Sequence, residues 1–156
     1  MKAISLTQGY SAIIDDEDYD KLMQYKWCYN LGYASRSLKK ENKKITIFMH
    51  RVVLDTPENM YTDHISGNEL DNRRGNLRIG TKSQNMANSR IRVNNTSGYK
   101  GVHWHKLLSK WRAVIWYLGK PIHIGLFLTK EEAAKAYNNK AIEVHKEFAR
   151  LNVIDV

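Results

Sequence analysis

A chain of 156 residues has room for one ordinary domain or for two to three small modules. Its 25 Lys and Arg residues against 16 Asp and Glu residues give a formal net charge of +9, which favours polyanionic partners because each cation placed on a phosphate releases a counterion. The single cysteine, Cys28, excludes internal disulfides and a zinc site built from paired cysteines. No apolar stretch has the length of a signal peptide or a membrane span, so we expect an intracellular protein without a membrane partner.

Residues 1–49 are predicted to form a small β-rich unit. Gln8 and Gly9 separate two strand-like segments, a pattern typical of a β-hairpin. The acidic residues 15–18 offer caps and first-turn acids for a short helix that extends to Tyr25. Strands are then predicted over residues 29–36 and 44–48, on either side of a polar turn at 39–42. Four aromatic residues are expected in the core of this unit: Tyr19, Trp27, Tyr29 and Tyr33.

Residues 50–92 are rich in His, Asn, Asp and Arg and poor in large apolar side chains, so core packing does not account for them. An Asp63-His64 pair is followed 12 residues later by Asn76 and 9 residues after that by Asn85. Hydrolysis of a phosphodiester needs a base and a cation. Carboxylate and amide oxygens are hard ligands suited to Mg²⁺ or Mn²⁺, and an imidazole with a pKa of about 6.5 can act as a base near neutral pH. Because neighbouring strand residues point to opposite sides, His64 can remain off a metal bound to Asp63.

This segment resembles the HNH endonucleases, in particular the phage and intron homing type. The matching stretches are Met49 to Val53, Asp63-His64, Leu70 to Arg78, and Gln84 to Asn88. The resemblance implies a ββα-metal finger over residues 50–92. Two short strands would surround Asp63-His64 and Asn76-Leu77, and a helix carrying Asn85 would follow.

The same resemblance implies a division of roles within the finger. Asp63 and Asn85 would bind one divalent ion, His64 would activate water, and Asn76 would brace the intervening loop through backbone hydrogen bonds. The ion is expected to be Mg²⁺, with Mn²⁺ as the alternative, because the third motif letter is Asn rather than His and favours a hard cation over zinc. Asn68 and Asn72 are interpreted as turn residues. A phage or mobile-element origin, and with it a host-cell cytoplasm, follows from the resemblance alone.

Several arginines accompany the motif. Arg73, Arg74 and Arg78 are expected to contact the DNA backbone, because three guanidiniums beside a metal site would otherwise repel one another and the ion. His50 and Arg51 begin a segment that, in the resemblance, packs against the finger. Arg51 is assigned either a phosphate contact or a structural role.

Residues 96–153 follow a boundary rich in Asn, Ser and Gly and form the last predicted module. Strands are predicted near 100–106, 110–117 and 120–127, followed by a helix that Thr129 caps and whose first turn contains Glu131 and Glu132. Alternation directs one set of side chains toward the alanine-rich face of that helix: Val102, Trp104, Trp111, Ala113, Ile115, Ile122 and Ile124. The opposite face then presents His103, His105, Arg112, Val114, Trp116 and His123.

This module resembles, over essentially its whole length, the DNA-binding domain of plant ethylene-response factors, the Apetala-two class. The matching stretches are Ser97 to Val102, Lys110 to Ile115, Ile124 to Phe127, Glu132 to Tyr137, and Leu151-Asn152. The resemblance implies a three-stranded antiparallel sheet packed on one helix, with the outer face of the sheet in the DNA major groove. The contacting residues would be Lys100, His103, His105, Lys110, Arg112, Trp116 and His123. Several arginines of the plant pattern are replaced in this chain, so its target sequence does not transfer.

The sequence therefore predicts an α+β protein: a β-rich N-terminal unit, a ββα-metal finger, and a C-terminal module of three strands and one helix. The expected function is metal-dependent cleavage of double-stranded DNA, with the C-terminal sheet binding near the cut. The alternative is a non-catalytic DNA-binding regulator with a decayed finger. A monomer is expected, with a dimer as the alternative. A single finger would nick one strand, whereas cleavage of both strands would need a second site or a second binding event. The role of residues 1–49, as a scaffold or an added DNA contact, is left open.

Overall fold

The computed structural model describes residues 1–154 and confirms the predicted α+β class. Within those residues, four small antiparallel sheets alternate with short helices, and one longer C-terminal helix packs on the last sheet. The chain divides into two compact units, Met1–Thr81 and Lys82–Val156. The boundary between them falls inside the segment 50–92. None of the helices in the described part of the chain has the length and apolar character needed to cross a membrane.

The first unit begins with the expected hairpin. Strand β1 (Lys2–Ser5) pairs with β2 (Ser11–Ile14) in antiparallel register. Gln8 and Gly9 occupy the turn with φ values of 63° and 77°, a conformation that glycine adopts without steric strain. The hairpin turns one face into the core, where Ile14 is completely buried.

The helix that follows is shorter than predicted. Helix α1 (Tyr19–Met23) ends two residues before Tyr25. The prediction that the acids at 15–18 cap it was also wrong: within the described residues, no side chain caps this helix or the 3-10 turn before it. The carboxylates of Asp15 and Asp18 bind Arg74, a partner far away in sequence that local pattern cannot identify.

A second sheet follows, with strand order β3-β4-β5: β3 (Cys28–Asn30), β4 (Tyr33–Lys40) and β5 (Lys43–Phe48). The single strand predicted over 29–36 was wrong, because Leu31 and Gly32 have φ values of 49° and 96° and turn the chain back on itself. The next turn is tighter than predicted. It consists of Glu41 and Asn42, both with positive φ, so the strands extend into the lysines on either side.

The first unit ends with a short helix and a strand pair: α2 (Met49–Leu54), β6 (Tyr61–His64) and β7 (Leu77–Gly80). Helix α2 packs on both strands and on the second sheet. The buried core of the unit consists of Ile4, Leu6, Ala12, Ile14, Leu22, Trp27, Ala34, Met49, Val53 and Leu77. Burial of these apolar side chains, worth about 25 cal/mol per Å², anchors β7 and α2 to the N-terminal hairpin. As predicted, Trp27 belongs to the core, and Tyr19 and Tyr29 pack against it.

The second unit contains α3 (Lys82–Ala87), β8 (Val102–His105), β9 (Lys110–Tyr117), β10 (Lys120–Phe127) and α4 (Lys130–His145). Its three strands form an antiparallel sheet in the order β10-β9-β8. Thr129 caps α4 as predicted: its hydroxyl accepts from the Glu132 amide at 3.2 Å, and its own amide donates to the Glu132 carboxylate at 3.2 Å. This reciprocal capping box satisfies two amides at the helix start.

The side chains predicted to face α4 from this sheet do so, with one exception. Val102, Ala113 and Ile115 are buried on the side of α4. Trp104 was expected there too, but it is 45% exposed and meets Trp111 edge-on at 5.1 Å. It lies on the edge strand β8, whereas α4 packs mainly on β9 and β10. A bulge in β10 between residues 123 and 125 also shifts the later part of that strand by one position.

Candidate active site

The β6–β7 pair contains the two central residues of the predicted motif. In its antiparallel register Asp63 lies opposite Arg78, and His64 lies opposite Leu77. Asp63 and His64 are both buried, with 5% of each residue exposed. A carboxylate and an imidazole taken out of water require polar partners within the protein, and those partners define the site.

Arg78 is the partner of Asp63. Its Nε and Nη2 atoms both donate to Oδ2 of Asp63, at 2.8 and 2.7 Å. A buried carboxylate loses several kcal/mol of hydration free energy, and a charge-assisted ion pair offsets much of this loss. Arg78 was predicted to contact DNA; in this structure its guanidinium binds Asp63.

The His64 ring lies in a pocket of polar and aromatic side chains. Its Nε2 atom lies 3.4 Å from Oδ1 of Asn72, and its ring meets that of His50 edge-on, with 5.0 Å between centroids. Burial lowers the pKa of His64 below its ordinary value, while the contact with Asn72 and the surrounding carboxylates oppose that shift. The imidazole is therefore neutral at neutral pH, which is the form that can accept a proton.

His50 is the second buried imidazole of this pocket. Its ring stacks on Phe48 at 5.4 Å and meets Tyr33 edge-on at 5.5 Å. Its Nδ1 atom is buried and finds no hydrogen-bond partner among residues 1–154. Burial, reinforced by the neighbouring His64 and Arg51, lowers the pKa of His50 to about 3. The sequence placed His50 in a packing segment, and only its position among aromatic rings indicates a neutral, desolvated imidazole.

Asn76 connects both ends of the loop that follows His64. Its Oδ1 accepts from the Ser66 amide at 3.0 Å, its Nδ2 donates to the Asp71 carbonyl at 2.8 Å, and its backbone carbonyl accepts from Ile65 at 2.8 Å. All three bonds involve backbone groups, and they hold the loop 65–76 in one conformation. Asn72, which the sequence indicated only as a turn residue, is instead fully buried beside His64.

Two more arginines predicted to contact DNA are ion-paired in the first unit. Arg73 binds both oxygens of Asp71, with Nε at 2.8 Å and Nη2 at 2.6 Å, and this pairing lowers the pKa of the Asp71 carboxyl. Arg74 binds both oxygens of Asp18 at 2.9 and 2.7 Å and also reaches Glu17. The bonds of Arg74 tie the loop after His64 to the N-terminal segment.

Arg51 has the structural role that was one of its two alternatives in the sequence. Its guanidinium donates to three backbone carbonyls, those of Met60 at 2.8 Å, Thr56 at 3.1 Å and Pro57 at 2.8 Å. These hydrogen bonds hold the segment between α2 and β6 against α2, the helix that carries His50.

Asn85 lies within α3, in the second unit. Over the described residues, no group of three or more His, Cys, Asp or Glu side chains is arranged to hold a metal ion. The predicted metal ligands are only two, the carboxylate of Asp63 and the amide of Asn85, and an amide does not count toward such a group.

The outer face of the C-terminal sheet brings together most of the predicted DNA contacts. His103 pairs with Arg112 across β8 and β9, and Val114 with His123 across β9 and β10. Trp116 extends the same face and is 60% exposed. Burial and the adjacent guanidinium lower the pKa of His103, so the positive charge of the His103–Arg112 pair belongs to Arg112.

Three other residues assigned to this interface lie at its margins. The Lys100 ammonium donates to the backbone carbonyls of Ala87 and Ser89, the latter at 2.8 Å. His105 and Lys110 pair at the end of β8 and β9, and Nδ1 of His105 accepts from the Leu108 amide at 3.4 Å. The ammonium group of Lys100 therefore binds backbone oxygens of its own unit.

Comparison with known proteins agrees with the central motif. Residues 55–87 match the model of an HNH endonuclease family. An uncharacterized HNH endonuclease of Acanthamoeba polyphaga mimivirus is 30% identical over 153 residues, which cover 95% of this chain and 78% of the relative. The chain belongs to the HNH endonuclease family. The HNH match includes Asp63, His64, Asn76 and Asn85, whereas His50 lies before it.

Other relatives cover parts of this HNH protein. Protein 3.8 of Escherichia phage T7 is 35% identical over 94 residues, or 60% of the chain and 77% of the relative. An AP2-like ethylene-responsive transcription factor of Arabidopsis thaliana is 32% identical over 59 residues, or 38% of the chain but 12% of the relative. An APETALA2-like protein of Oryza sativa is 35% identical over 57 residues. No solved structure matches the chain.

Proposed function

We propose that this HNH protein is a metal-dependent DNA endonuclease in which His64 is the general base and Asp63 and Asn85 hold one divalent ion. The observation that carries the proposal is the buried, neutral His64 next to the buried carboxylate of Asp63 on one short strand. A buried base beside a buried carboxylate is typical of a catalytic site, where burial adjusts the pKa values of the groups to their chemical roles.

The donor set fits a hard divalent cation. A carboxylate and an amide oxygen are preferred by Mg²⁺, which also retains several waters, so two protein ligands are sufficient. The Asp63 carboxylate already stabilises a cation, the guanidinium of Arg78. We assign Mg²⁺, with Mn²⁺ as the alternative. When bound, the ion would neutralise charge on the phosphate and on the leaving oxygen.

The role of His64 follows from its protonation state. Its neutral imidazole takes the proton of the attacking water, and the surrounding rings of His50 and Tyr33 keep bulk water away from the base. Asn76 braces the loop that follows His64 through its bonds to Ser66 and Asp71. Together these groups keep the base oriented before the substrate arrives, which lowers the entropic part of the barrier.

We further propose that the C-terminal sheet binds double-stranded DNA through its outer face and so directs cleavage to a recognised site. Arg112 and Trp116 are the central contacts, with His103, His123, Lys110, His105 and Lys100 around them. A major groove about 12 Å wide admits a two-stranded β-ribbon, and Arg112 and Trp116 lie on β9, the middle strand of this sheet. The similarity to plant AP2-like transcription factors over this module supports DNA binding, and the viral relatives support a homing or mobile-element origin. Because one finger holds one metal site, we infer that a monomer nicks one strand.

A second candidate function has its own observation. Because Arg78 binds Asp63 in this structure, the chain could act as a non-catalytic DNA-binding regulator in which this ion pair has replaced the metal. The two functions differ in one measurable property, the cleavage of DNA in the presence of a divalent ion.

The test is incubation of supercoiled plasmid with Mg²⁺ or Mn²⁺ and the native chain or His64→Ala. We expect relaxed circles from the native protein and a rate about 10²- to 10⁴-fold lower for the variant, with unchanged DNA binding. Asn85→Ala should require more Mg²⁺ for the same rate, whereas Gln84→Ala, its neighbour on α3, should not. Metal-independent relaxation, or undiminished cleavage by His64→Ala, would disprove the proposal.

A further inference from the structure

The end of the β4–β5 hairpin, residues 37–46, is a two-stranded ribbon. Strand β3 pairs with β4 only as far as Ser35, and beyond that residue β4 pairs, among the described strands, with β5 alone. Every residue of the ribbon is exposed, although the strands remain paired up to the turn at Glu41 and Asn42. Because the ribbon adds nothing to the buried core, packing does not explain its sequence.

This ribbon concentrates positive charge. In its antiparallel register Lys39 lies opposite Lys44, and Lys40 lies opposite Lys43. Like charges directly opposite each other on neighbouring strands lower stability. In the described part of the chain none of these four ammonium groups forms a salt bridge, and the single acid between them lies in the turn. One lysine on each strand would already discourage pairing with another exposed edge, so two facing pairs indicate a polyanionic partner that offsets their repulsion.

Four arginines of the first unit already have partners. Arg73, Arg74 and Arg78 each bind a carboxylate through two guanidinium nitrogens. Arg51 donates to three backbone carbonyls. These side chains would have to exchange an existing partner for a phosphate, whereas the lysines of the ribbon would not. The ribbon therefore offers phosphate the more accessible cations.

One face of the ribbon continues into the candidate active site. Opposite residues of an antiparallel pair share a face, as do alternate residues along each strand. Lys39 and Lys44 therefore lie on the same face as Tyr33 and Phe48, whose ring centroids are 5.7 Å apart. The Tyr33 ring also lies 6.1 Å from that of His64. At a rise of about 3.3 Å per residue, Lys44 is about 13 Å along β5 from Phe48, which is less than half of the roughly 34 Å turn of duplex DNA.

The opposite face of the hairpin has different neighbours. At its base the Arg36 guanidinium stacks on the Tyr25 ring, 3.8 Å from the centroid. Leu38 and Ile45 form an exposed apolar pair beyond it, and the second lysine pair follows at the tip. This face lies on the side away from the active-site rings, so its lysines provide a comparison of equal charge.

We propose that Lys39 and Lys44 bind duplex DNA beside the cleavage site, with the end of the β4–β5 hairpin in the major groove. A groove about 12 Å wide admits a two-stranded β-ribbon. The ammonium groups bind phosphates, and the hydroxyls of Ser37 and Thr46, which share their face, are suited to base edges. Residues 1–49 thus add a DNA contact to that of the C-terminal module. The contact requires only that the protein binds DNA, whereas its place beside the cut rests on the proposed function.

The test is binding of the full chain, without metal, to a labelled DNA duplex several helical turns long and to an RNA duplex of equal length. At about 0.1 M salt, the double variant Lys39→Gln/Lys44→Gln should bind the DNA roughly 10- to 100-fold more weakly. The slope of log K against log salt should become shallower by about 2, one unit for each phosphate contact. The RNA affinity should change less, because the major groove of an RNA duplex is too deep and narrow for the ribbon.

Lys40→Gln/Lys43→Gln is the matched control, with the same loss of charge on the opposite face. It should change the slope by less than about 1. Both variants remove a like-charge pair, so both should unfold at a temperature no lower than that of the native protein. Equal slope changes in the two variants, native DNA affinity in Lys39→Gln/Lys44→Gln, or equal losses for DNA and RNA would each overturn the proposal.

Plasmid cleavage separates this inference from the proposed function. A protein that does not cleave, but whose Lys39→Gln/Lys44→Gln variant shows the expected loss of DNA affinity, would reject the nuclease mechanism and retain the ribbon as a DNA contact. Metal-dependent cleavage by a protein whose variant keeps the native salt dependence would retain the nuclease and reject the ribbon.

Discussion

Arg78 and Asp63 lie opposite each other on the β6–β7 pair, and two guanidinium nitrogens of Arg78 converge on a single oxygen, Oδ2 of Asp63. Two alternatives follow. Either the pair holds the carboxylate in place for a metal ion, or the guanidinium has taken the position of the ion. In both cases the positive charge of Arg78 competes with a divalent cation for the same carboxylate.

Arg78→Ala tests that competition. Removing one partner of a buried ion pair leaves an uncompensated charge, so the free energy of unfolding of the first unit should fall by about 3 kcal/mol in the absence of metal. If Asp63 is a ligand, Mg²⁺ should restore much of this loss, because a ligand bound only by the folded state stabilises it. The measurement is urea unfolding with and without Mg²⁺, followed through amide signals of residues 1–81.

Arg73→Ala is the matched control. It removes a similar bidentate pair, but Asp71 has no metal role in the proposal and the Arg73 side chain is more exposed, so a smaller loss of stability than in Arg78→Ala is expected. Mg²⁺ should not reverse it. An equal effect of Mg²⁺ on both variants would show that the ion does not act at Asp63.

The buried His50 makes stability depend on pH. Its folded pKa of about 3 lies below the unfolded value of 6.5, so the unfolded chain binds a proton that the folded chain does not. The contribution of the neutral His50 to the free energy of unfolding is thus fully present above pH 6.5 and is lost as the pH falls toward 3. Between pH 7 and 5 the loss amounts to about 2 kcal/mol.

His50→Phe isolates this effect. Phenylalanine preserves the ring that stacks on Phe48, and the buried Nδ1 has no partner among the described residues to lose. We expect similar stability of variant and native protein at neutral pH, with the variant about 2 kcal/mol more stable at pH 5. His64 titrates in both proteins, so its contribution largely cancels in the difference. If the free energies of unfolding of the variant and the native protein changed in parallel from pH 7 to 5, His50 would be protonated in the folded state.

The sequence predicted what depends on local pattern. Alternation and turn residues gave the β1–β2 hairpin, the strands β8 to β10 and the capped helix α4. It missed the break at Leu31 and Gly32, because a non-glycine residue with positive φ leaves the apolar pattern of a strand intact. It also extended α1 too far, since no local signal marks an end at Met23.

In the candidate site, too, local pattern predicted some features and missed those that depend on the fold. The spacing of Asp63, His64 and Asn76 identified the motif residues, because their chemistry is tied to their order along the chain. The partners of those residues were not predictable, since Asn72 and Arg78 are ordinary turn and surface residues in sequence. Ion pairs that close a loop over 56 residues, as between Arg74 and Asp18, require the three-dimensional structure.

The outer face of the C-terminal sheet provides a comparison of two exposed tryptophans. Trp116 lies on that face and is 60% exposed. Trp104 is 45% exposed, but it alternates with the outer-face residues of β8 and packs on Trp111. Trp116→Ala should weaken binding to a DNA duplex about tenfold, or about 1.4 kcal/mol, while Trp104→Ala should change it little. The measurement is fluorescence anisotropy of a labelled duplex at fixed salt. Equal affinities for native and Trp116→Ala would place the DNA contact elsewhere.

Gly101 is where the C-terminal module tolerates no side chain. Its φ is +75°, and an added Cβ would overlap the Tyr137 ring and lie 2.6 Å from the Val114 carbonyl oxygen, while its own carbonyl accepts from the Val114 amide at 2.8 Å. Gly101→Ala should therefore lower the stability of the second unit by about 3 kcal/mol, of which about 1 kcal/mol is backbone strain and the rest overpacking. Gly98→Ala is the matched control, because its φ is +79° but no atom of the described residues lies within 4 Å of the added Cβ, so only the strain of about 1 kcal/mol applies. Thermal unfolding of both variants measures the difference. Equal losses would mean that α4 shifts to accept the methyl group, and that its packing on the sheet does not fix the close approach at Tyr137.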